Sequence, residues 1–479
     1  MSSDTGHHTV IVWFRRDLRI ADNPALLWAS QTGRSVLPVF ILDEETEDCV
    51  LGAASHWWLH GSLEALASRF EALNSRLVLR RGPASSVLSD LISETGAGTV
   101  VWNRLYEPRT MERDRQIKAE LKGGGLEIRS FNASLLHEPW EICTGGNRPY
   151  QVFTPFWRAC LERGHAAPDG SVSCLCSPDV WPPGASLDDW TLRPDNPDWA
   201  GGLRQIWQPG ETGAEDRLAC FIQTALENYS AGRDRPGEPL TSFLSPHLRF
   251  GEIGPRQVAA AIGACVAGQN GEAFVRELGW REFSHHLLYH NPEMETVNIR
   301  SQFDRMEWRE DPDALRQWQR GKTGYPLVDA GMRELWSTGW MHNRVRMVVA
   351  SFLIKHLLID WRRGAEWFVD TLVDADRANN SAGWQWVAGS GADAAPYFRI
   401  FNPVAQSERF DANGHYLRQW LPELRALPVR HLHAPWKAPR DILRDADVIL
   451  GETWPHPIVD HAMARKRALN AYHRTRDSH

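Results

Sequence analysis

Between Val10 and Ile128, short apolar runs rich in β-branched residues alternate with segments whose apolar residues recur every three or four positions. VIVWF is followed by NPALLWAS, SVLPVFIL by HWWLHGSLEALASRFEAL, RLVLRRG by SSVLSDLISETG, and TVVWN by MERDRQIKAELK; LEIRSF closes the series. Continuous apolar runs bounded by turn residues mark strands, and the 3.6-residue period marks helices. Strands apolar on both faces belong to a parallel sheet covered on both sides, so the pattern predicts a five-stranded, doubly wound α/β domain with ligands expected near the carboxyl ends of the strands.

No GxGxxG follows the first strand. The first turn reads FRRDLRIADNP instead, where Asp22 or Asn23 caps the next helix and Pro24 suits its first turn, which does not support a dinucleotide site there. Residues 136–214 are rich in Pro, Gly, Asp and Trp, with little sustained period, and read as a connector. From Glu215 strand signals fade and helical ones dominate, in RLACFIQTALENY, GPRQVAAAIGACV, EAFVRELGWREFSHHLLYH, DALRQWQR, YPLVDAGMRELWST and WMHNRVRMVVASFLIKHLLIDW. The organisation expected is therefore an α/β domain over 1–135, a connector over 136–214 and a large all-α domain over 215–479.

Composition narrows the class. With 42% hydrophobic and 24% charged residues the chain is ordinary globular protein, which excludes disordered, collagen-like and coiled-coil readings. A net charge of −7 requires any nucleic-acid binding to come from a local basic surface, for which RKRALNAYHRTRDSH at the C-terminus is one candidate. Seven cysteines thinly spread, and an opening MSSDTGHHTV without an apolar leader, point to a reducing, cytoplasmic setting. Apolar runs such as Val10 to Phe14 and Met347 to Ile354 are far shorter than the ~20 residues of a membrane span. The chain also carries 23 tryptophans, nine of them between Trp280 and Trp386, more than a generic core requires.

Several motifs carry candidate chemistry. In TSFLSPHLRFGEIGP, Thr241, Ser242 and Ser245 precede a helix start, with Ser245 read as its cap and Pro246 in its first turn, a place where an anion can bind; a plain Ser-Pro cap is the simpler alternative. In WMHNRVRM, Asn343, Arg346 and Met347 share a helix face at i, i+3 and i+4, while Arg344 points elsewhere, toward a phosphate. The apolar MVVASFLI that follows implies a buried helix, and a buried arginine needs an anion. DADRANNSAGWQW supplies one in Asp374, beside Asp376, Asn379 and Asn380, although such clusters are more often turns than metal sites. GKTG at 321–324 lacks the glycine of a nucleotide-binding loop, since position 316 is Arg316. Cys174, Cys176 and His165 lack a matching second half of a zinc site, and His285 and His286 lack HExxH spacing. No metal is expected. With no nucleophile and base in view, residue chemistry alone leaves a redox or cofactor protein.

Taken together, VIVWFRRDLRIADNPAL, TSFLSPHLRFGEI, ELGWREF, GKTGYPLVDAGMREL, TGWMHNRVRM, DADRANNSAGWQW and DAAPYFRIFNP occur in order along nearly the whole chain. On these motifs the sequence is identified as a member of the photolyase and cryptochrome family. The resemblance implies FAD in the helical domain, with Tyr229, Thr241, Ser242, Phe243, Leu244 and Ser245 toward its phosphates and Trp280, Asn343, Arg346, Asp374, Ala375, Asp376 and Asn380 completing the site. Asn380 matches the position facing flavin N5, where photolyases carry asparagine, plant cryptochromes typically aspartate and animal cryptochromes cysteine; the amide favours the reduced anionic flavin, hence repair.

Further positions follow from the same resemblance. Glu277, Asn380 and Met347 match catalytic positions, and Arg233, Glu277, Trp280, Arg281, Asn343, Arg344, Trp386 and Gln406 match positions that hold DNA or a flipped lesion. Trp384, Trp361 and Trp308 match the family's electron-relay tryptophans. Met347 and WMHNR resemble enzymes acting on cyclobutane pyrimidine dimers in DNA rather than on (6-4) products, with class III favoured over class I. YEPRTMERD departs from the best-known folate-binding pattern, which is the ground for favouring class III; for an antenna, methenyltetrahydrofolate is still the first expectation and a deazaflavin the second. A monomer is expected. The rival reading is a cryptochrome-type blue-light receptor without repair, which a long C-terminal extension would support; the sequence ends with VDHAMARKRALNAYHRTRDSH.

Overall fold

The computed structural model describes residues 9–43, 51–265 and 268–476. The opening segment 1–8 and the last three residues of the basic C-terminal stretch lie outside them.

The five expected strands form β1 (Thr9–Phe14), β2 (Ser35–Leu42), β3 (Val78–Arg81), β4 (Thr99–Asn103) and β5 (Glu127–Phe131). They pair in parallel in the order β3-β2-β1-β4-β5, with Val10 opposite both Val36 and Thr99. Helices α1 (Pro24–Ser30), α2 (Ala53–Ala72), α3 (Ala84–Thr95) and α4 (Pro108–Gly123) supply the crossovers. Val10 to Phe14 are each no more than 1% exposed, which is why β1 carries no polar alternation.

Strand order reverses at β1, where a doubly wound sheet opens a ligand crevice. Here the protein fills that place with its own polar network. Asp17 accepts from Arg15 N (2.7 Å) and from Asn103 Nδ2 (2.6 Å), and Arg15 Nη1 pairs with Asp114 at 2.6 Å. Of the two expected caps it is Asn23 that serves, accepting from Leu26 N at 3.1 Å and from Asn103 Nδ2 at 2.8 Å. The turn that lacks glycines is thus packed with side chains.

Compactness divides the chain into one unit of Met1–Thr224 with Ser242–Pro292 and another of Ala225–Thr241 with Glu293–His479. Within the first, the 136–214 stretch is not purely connector: it folds a helix, Phe153–Arg163, because Phe153 and Phe156 bury against Trp280 and Phe283 of the Gln269–His290 helix. Its buried residues Phe153, Phe156 and Cys160 recur at i, i+3 and i+7, and the aromatic partners of that face lie more than a hundred residues away.

The second unit is built on the helices Pro326–Thr338, Asn343–Ser351, Trp361–Thr371 and Arg377–Ala388 around a shared core that includes Trp318, Val348, Leu353 and Phe368. The segment read as one helix from Trp340 to Trp361 is three pieces. His342 starts the first, a π-helical stretch Phe352–Leu357 follows, and Leu358 turns left-handed at φ 58° before Asp360 caps the next helix through Arg362 N at 2.9 Å. Uniformly apolar sequence conceals such breaks, because the period does not change. GKTG serves the fold: Thr323 N and Oγ1 donate to Asp329 at 2.7 Å each and Gly324 N at 2.9 Å. In the basic C-terminal helix His461–Arg476, Arg467 donates to the His356 carbonyl and Arg474 pairs with Glu307, so part of its charge is engaged within the unit. Among the described residues no helix is long and apolar enough to cross a membrane.

Candidate active site

His342 is the residue on which the Asn343–Ser351 helix begins. Its Nδ1 accepts from Arg344 N at 3.1 Å, a job that needs a neutral imidazole, and burial drives its pKa down to about 4. The helix then points Asn343, Arg346, Met347 and Ala350 at one cavity of about 230 Å³. Opposite, Asp376 caps the Arg377–Ala388 helix by accepting from Asn379 N and Nδ2, both at 2.8 Å, and Asn380, Gly383, Trp384 and Val387 follow on the cavity face at i, i+3, i+4 and i+7. Phe368 and Leu372 form an apolar wall.

Polar groups are few and fixed. Arg346 Nη2 reaches both oxygens of Asp374, at 3.1 and 2.8 Å, while its Nε donates to the Met341 carbonyl at 2.7 Å. The Asp374 side chain is only 3% exposed, so the pair is the neutralisation expected from the sequence. Asn380 Nδ2 donates to the Ala365 carbonyl at 3.1 Å, which leaves its Oδ1 as the atom available to the cavity. Apolar walls with a held guanidinium, a carboxylate and an amide oxygen suit a planar heteroaromatic ring with polar edges. The volume lies below the ~300–1,000 Å³ of a whole-ligand site, as room for one end of a cofactor would. The isoalloxazine of FAD fits this lining.

Comparison with known proteins agrees over the whole chain. Residues 10–172 match the family model for DNA photolyase and 274–474 the model for the FAD-binding domain of DNA photolyase. A deoxyribodipyrimidine photo-lyase of Agrobacterium fabrum is 54% identical over 97% of each chain. A crystal structure of a bacterial class III photolyase from Agrobacterium tumefaciens superposes with a TM-score of 0.97 at 52% identity, covering all of both chains. Cryptochrome-1 of Arabidopsis thaliana is 39% identical over 95% of this chain and 69% of the relative. The chain belongs to the photolyase and cryptochrome family.

Of the positions the family resemblance singled out, Asn343, Arg346, Met347, Asp374, Ala375, Asp376, Asn380 and Trp384 line the one cavity. Asp376 does so chiefly as the helix cap. Elsewhere in the same unit, Arg344 pairs with Asp234 and Arg233 lies over the Tyr229 ring, 5.5 Å from its centroid. Trp361 is fully buried, its Nε1 donating to Asn298 at 3.0 Å; Trp308 and Trp386 are partly buried against the core, and Gln406 is half-buried on the Pro403–Phe410 helix. Thr241 is half-buried.

The remaining positions lie in the first unit. Ser245 does not cap its helix: it is the first residue of the short Ser245–Phe250 helix after Leu244, and Ser242 Oγ accepts from Leu244 N at 3.3 Å instead. The positive φ of 55° at Phe243 bends the chain there and displaces the start by one residue. Glu277 is half-buried. Trp280 stacks on Phe153 with centroids 3.7 Å apart, so only its other face is open to a ligand. Arg281 bonds the Ser134 carbonyl at 2.7 Å and faces Glu282 at 3.5 Å.

Sequence reasoning missed the support behind the cavity. His is not a usual cap, which hid His342, and nothing local marks Glu334, whose Oε2 accepts from Tyr416 Oη at 2.6 Å and His342 N at 3.2 Å. Burial pushes the Glu334 carboxyl up to about 7 from an ordinary 4.5 despite those donors. Between those values the folded chain binds more protons than the unfolded one, so this group costs stability as pH rises through the window and no more above it. Glu334→Gln keeps an acceptor without the titration. Its thermal midpoint is expected to match the parent near pH 5 and exceed it by roughly 3–6 °C at pH 8; a pH-independent difference in scanning calorimetry would exclude the assignment.

Proposed function

We infer that this protein is a deoxyribodipyrimidine photolyase, reversing cyclobutane pyrimidine dimers in DNA under light, of the class III type. The observation that carries the reading is the single cavity on which Arg346, Asp374, Asn380, Met347 and Trp384 converge, in a chain related over its full length to photolyases. When bound, reduced FAD would supply, on light excitation, the electron that opens the dimer and would take it back once the ring has split. This chain's residues do the rest: Arg346 and Asp374 hold the ring edge, Asn380 offers its oxygen to a flavin N–H, and apolar walls keep water out.

For the other positions the reading follows the family. Tyr229 and residues 241–245 serve the cofactor's phosphates, Trp384, Trp361 and Trp308 relay electrons, and Glu277, Trp280, Met347, Trp386, Arg233 and Arg344 receive the lesion and its flanking backbone. The functional division into 1–135, 136–214 and 215–479 accompanies it, with a monomer in the cytoplasm; the six described cysteines are all free thiols. Methenyltetrahydrofolate stands ahead of a deazaflavin as antenna.

The direct test is repair by the purified, reduced protein of oligonucleotides carrying either a cyclobutane dimer or a (6-4) product, in blue light and in the dark. Light-dependent reversal of the cyclobutane lesion alone is expected. Reversal of neither lesion, with the flavin still photoreducible, would move the protein to the light-receptor branch of its family.

A further inference from the structure

Arg344 sits in the first turn of the Asn343–Ser351 helix, at the positive end of its dipole, where a cation is electrostatically misplaced. Arg346 and Arg233 add to the positive side: with Arg344 they further depress the His342 imidazole that burial already holds neutral, and Asp234 is the carboxylate that opposes them. Asp234 meets Arg344 in one contact, Oδ2 to Nη2 at 2.7 Å. The remaining donors are poorly served. Nη1 faces the Met347 thioether at 3.9 Å, a weak acceptor, and Nε is buried with no partner, while the guanidinium lies over the Phe410 ring at 4.5 Å. A buried, unsatisfied guanidinium edge calls for an oxyanion that brings more than one oxygen. Asp234 is also the outer partner, 38% exposed against 20% for Arg344, so it can leave without disturbing the arginine.

We propose that Asp234 is a specificity-determining residue: it occupies Arg344 in the free protein, withholding it from undamaged DNA backbone, and yields it to a phosphate only when a lesion is seated beside Met347. The inference rests on the reading of Arg344 as a phosphate contact. Undamaged duplex passing over this face gains little from an arginine already neutralised. A flipped lesion places its flanking phosphate against Arg344, where two oxygens replace one and reach the idle donors. Asp234 thereby lowers background affinity and sharpens discrimination, an electrostatic form of selection against the wrong partner.

The test uses the flavin-loaded protein and two duplexes of one sequence, undamaged or carrying one thymine cyclobutane dimer, with binding measured in the dark across salt concentrations. For Asp234→Asn, affinity for the undamaged duplex is expected to rise about fivefold near 0.1 M salt and its log–log salt slope to steepen by about 0.9, one added phosphate. The slope for the dimer duplex stays as in the parent, so discrimination falls. Asp234→Glu keeps the parent's slopes, and in an Arg344→Gln background the Asn substitution changes nothing. Should Asp234→Asn lose flavin, Asp234→Ser is the neutral variant to read. If Arg344→Gln weakens dimer binding while neutral variants at 234 leave undamaged binding unchanged, or weaken both duplexes, the role given to Asp234 is wrong and the phosphate reading survives. If Arg344→Gln leaves dimer binding unchanged, both fall.

Discussion

Replacing Arg346 with leucine is expected to yield a folded protein that binds FAD about 30-fold or more weakly and purifies largely colourless. The change leaves Asp374 as an unpaired carboxylate with a side chain only 3% exposed, and removal of one member of a buried pair costs about 3–5 kcal/mol. Arg346 is about a quarter exposed, so that loss of stability is discounted to roughly 2–3 kcal/mol. The affinity falls for a separate reason, the missing charge-assisted hydrogen bond to the ring edge, worth about 2–3 kcal/mol, or about 30- to 150-fold. The double variant Arg346→Leu with Asp374→Leu removes the stranded charge, so its thermal midpoint should recover while flavin binding does not. The ratio of visible to ultraviolet absorbance after purification and a fluorescence titration of added FAD measure both. Undiminished affinity in the single variant would remove Arg346 from the site.

The second large effect separates two uses of the same wall. Trp384 is 3% exposed, lines the cavity and packs so tightly on the Trp361–Thr371 helix that a Cβ at Gly364 would come within 2.1 Å of its ring. Phe368 meets it edge-on at 5.0 Å. Trp384→Phe keeps an aromatic ring in this space and removes the readily oxidised indole. Photoreduction of the oxidised flavin is therefore expected to slow at least about tenfold, equivalent to ~1.4 kcal/mol of barrier. Repair by enzyme reduced beforehand should stay within about twofold, because no electron from Trp384 is then required. Transient absorption gives the first rate and single-turnover dimer reversal the second; an equal fall in both would make Trp384 a wall of the site and not a relay.

These expectations rest on features of unequal visibility. The residues of the Asn343–Ser351 face were readable because helical spacing places i, i+3 and i+4 together, and Arg346 required an anion once burial of its helix was inferred. Asp374 was the anion available. By contrast, the Ser245 cap was displaced by a backbone turn at Phe243, and the Phe153–Arg163 helix, though periodic, was masked by the Pro- and Gly-rich composition around it, with its partners Trp280 and Phe283 distant in sequence. Glu334, Tyr416 and Asp234 carry no motif at all. A buried carboxylate bonded to a tyrosine 82 positions away is a tertiary event.

By itself the sequence determined the sheet, its crossovers and the residue faces that line the cavity, since each depends on a period within one element, and its ordered motifs resembled one family. Tertiary structure alone decided which charges meet and how fully each is paired: Arg344 with Asp234, 110 positions apart, and Glu334 with His342 and Tyr416. Those pairings, and the burial that pushes Glu334 up and His342 down, arise only when chain segments without a shared period are brought together and water is excluded.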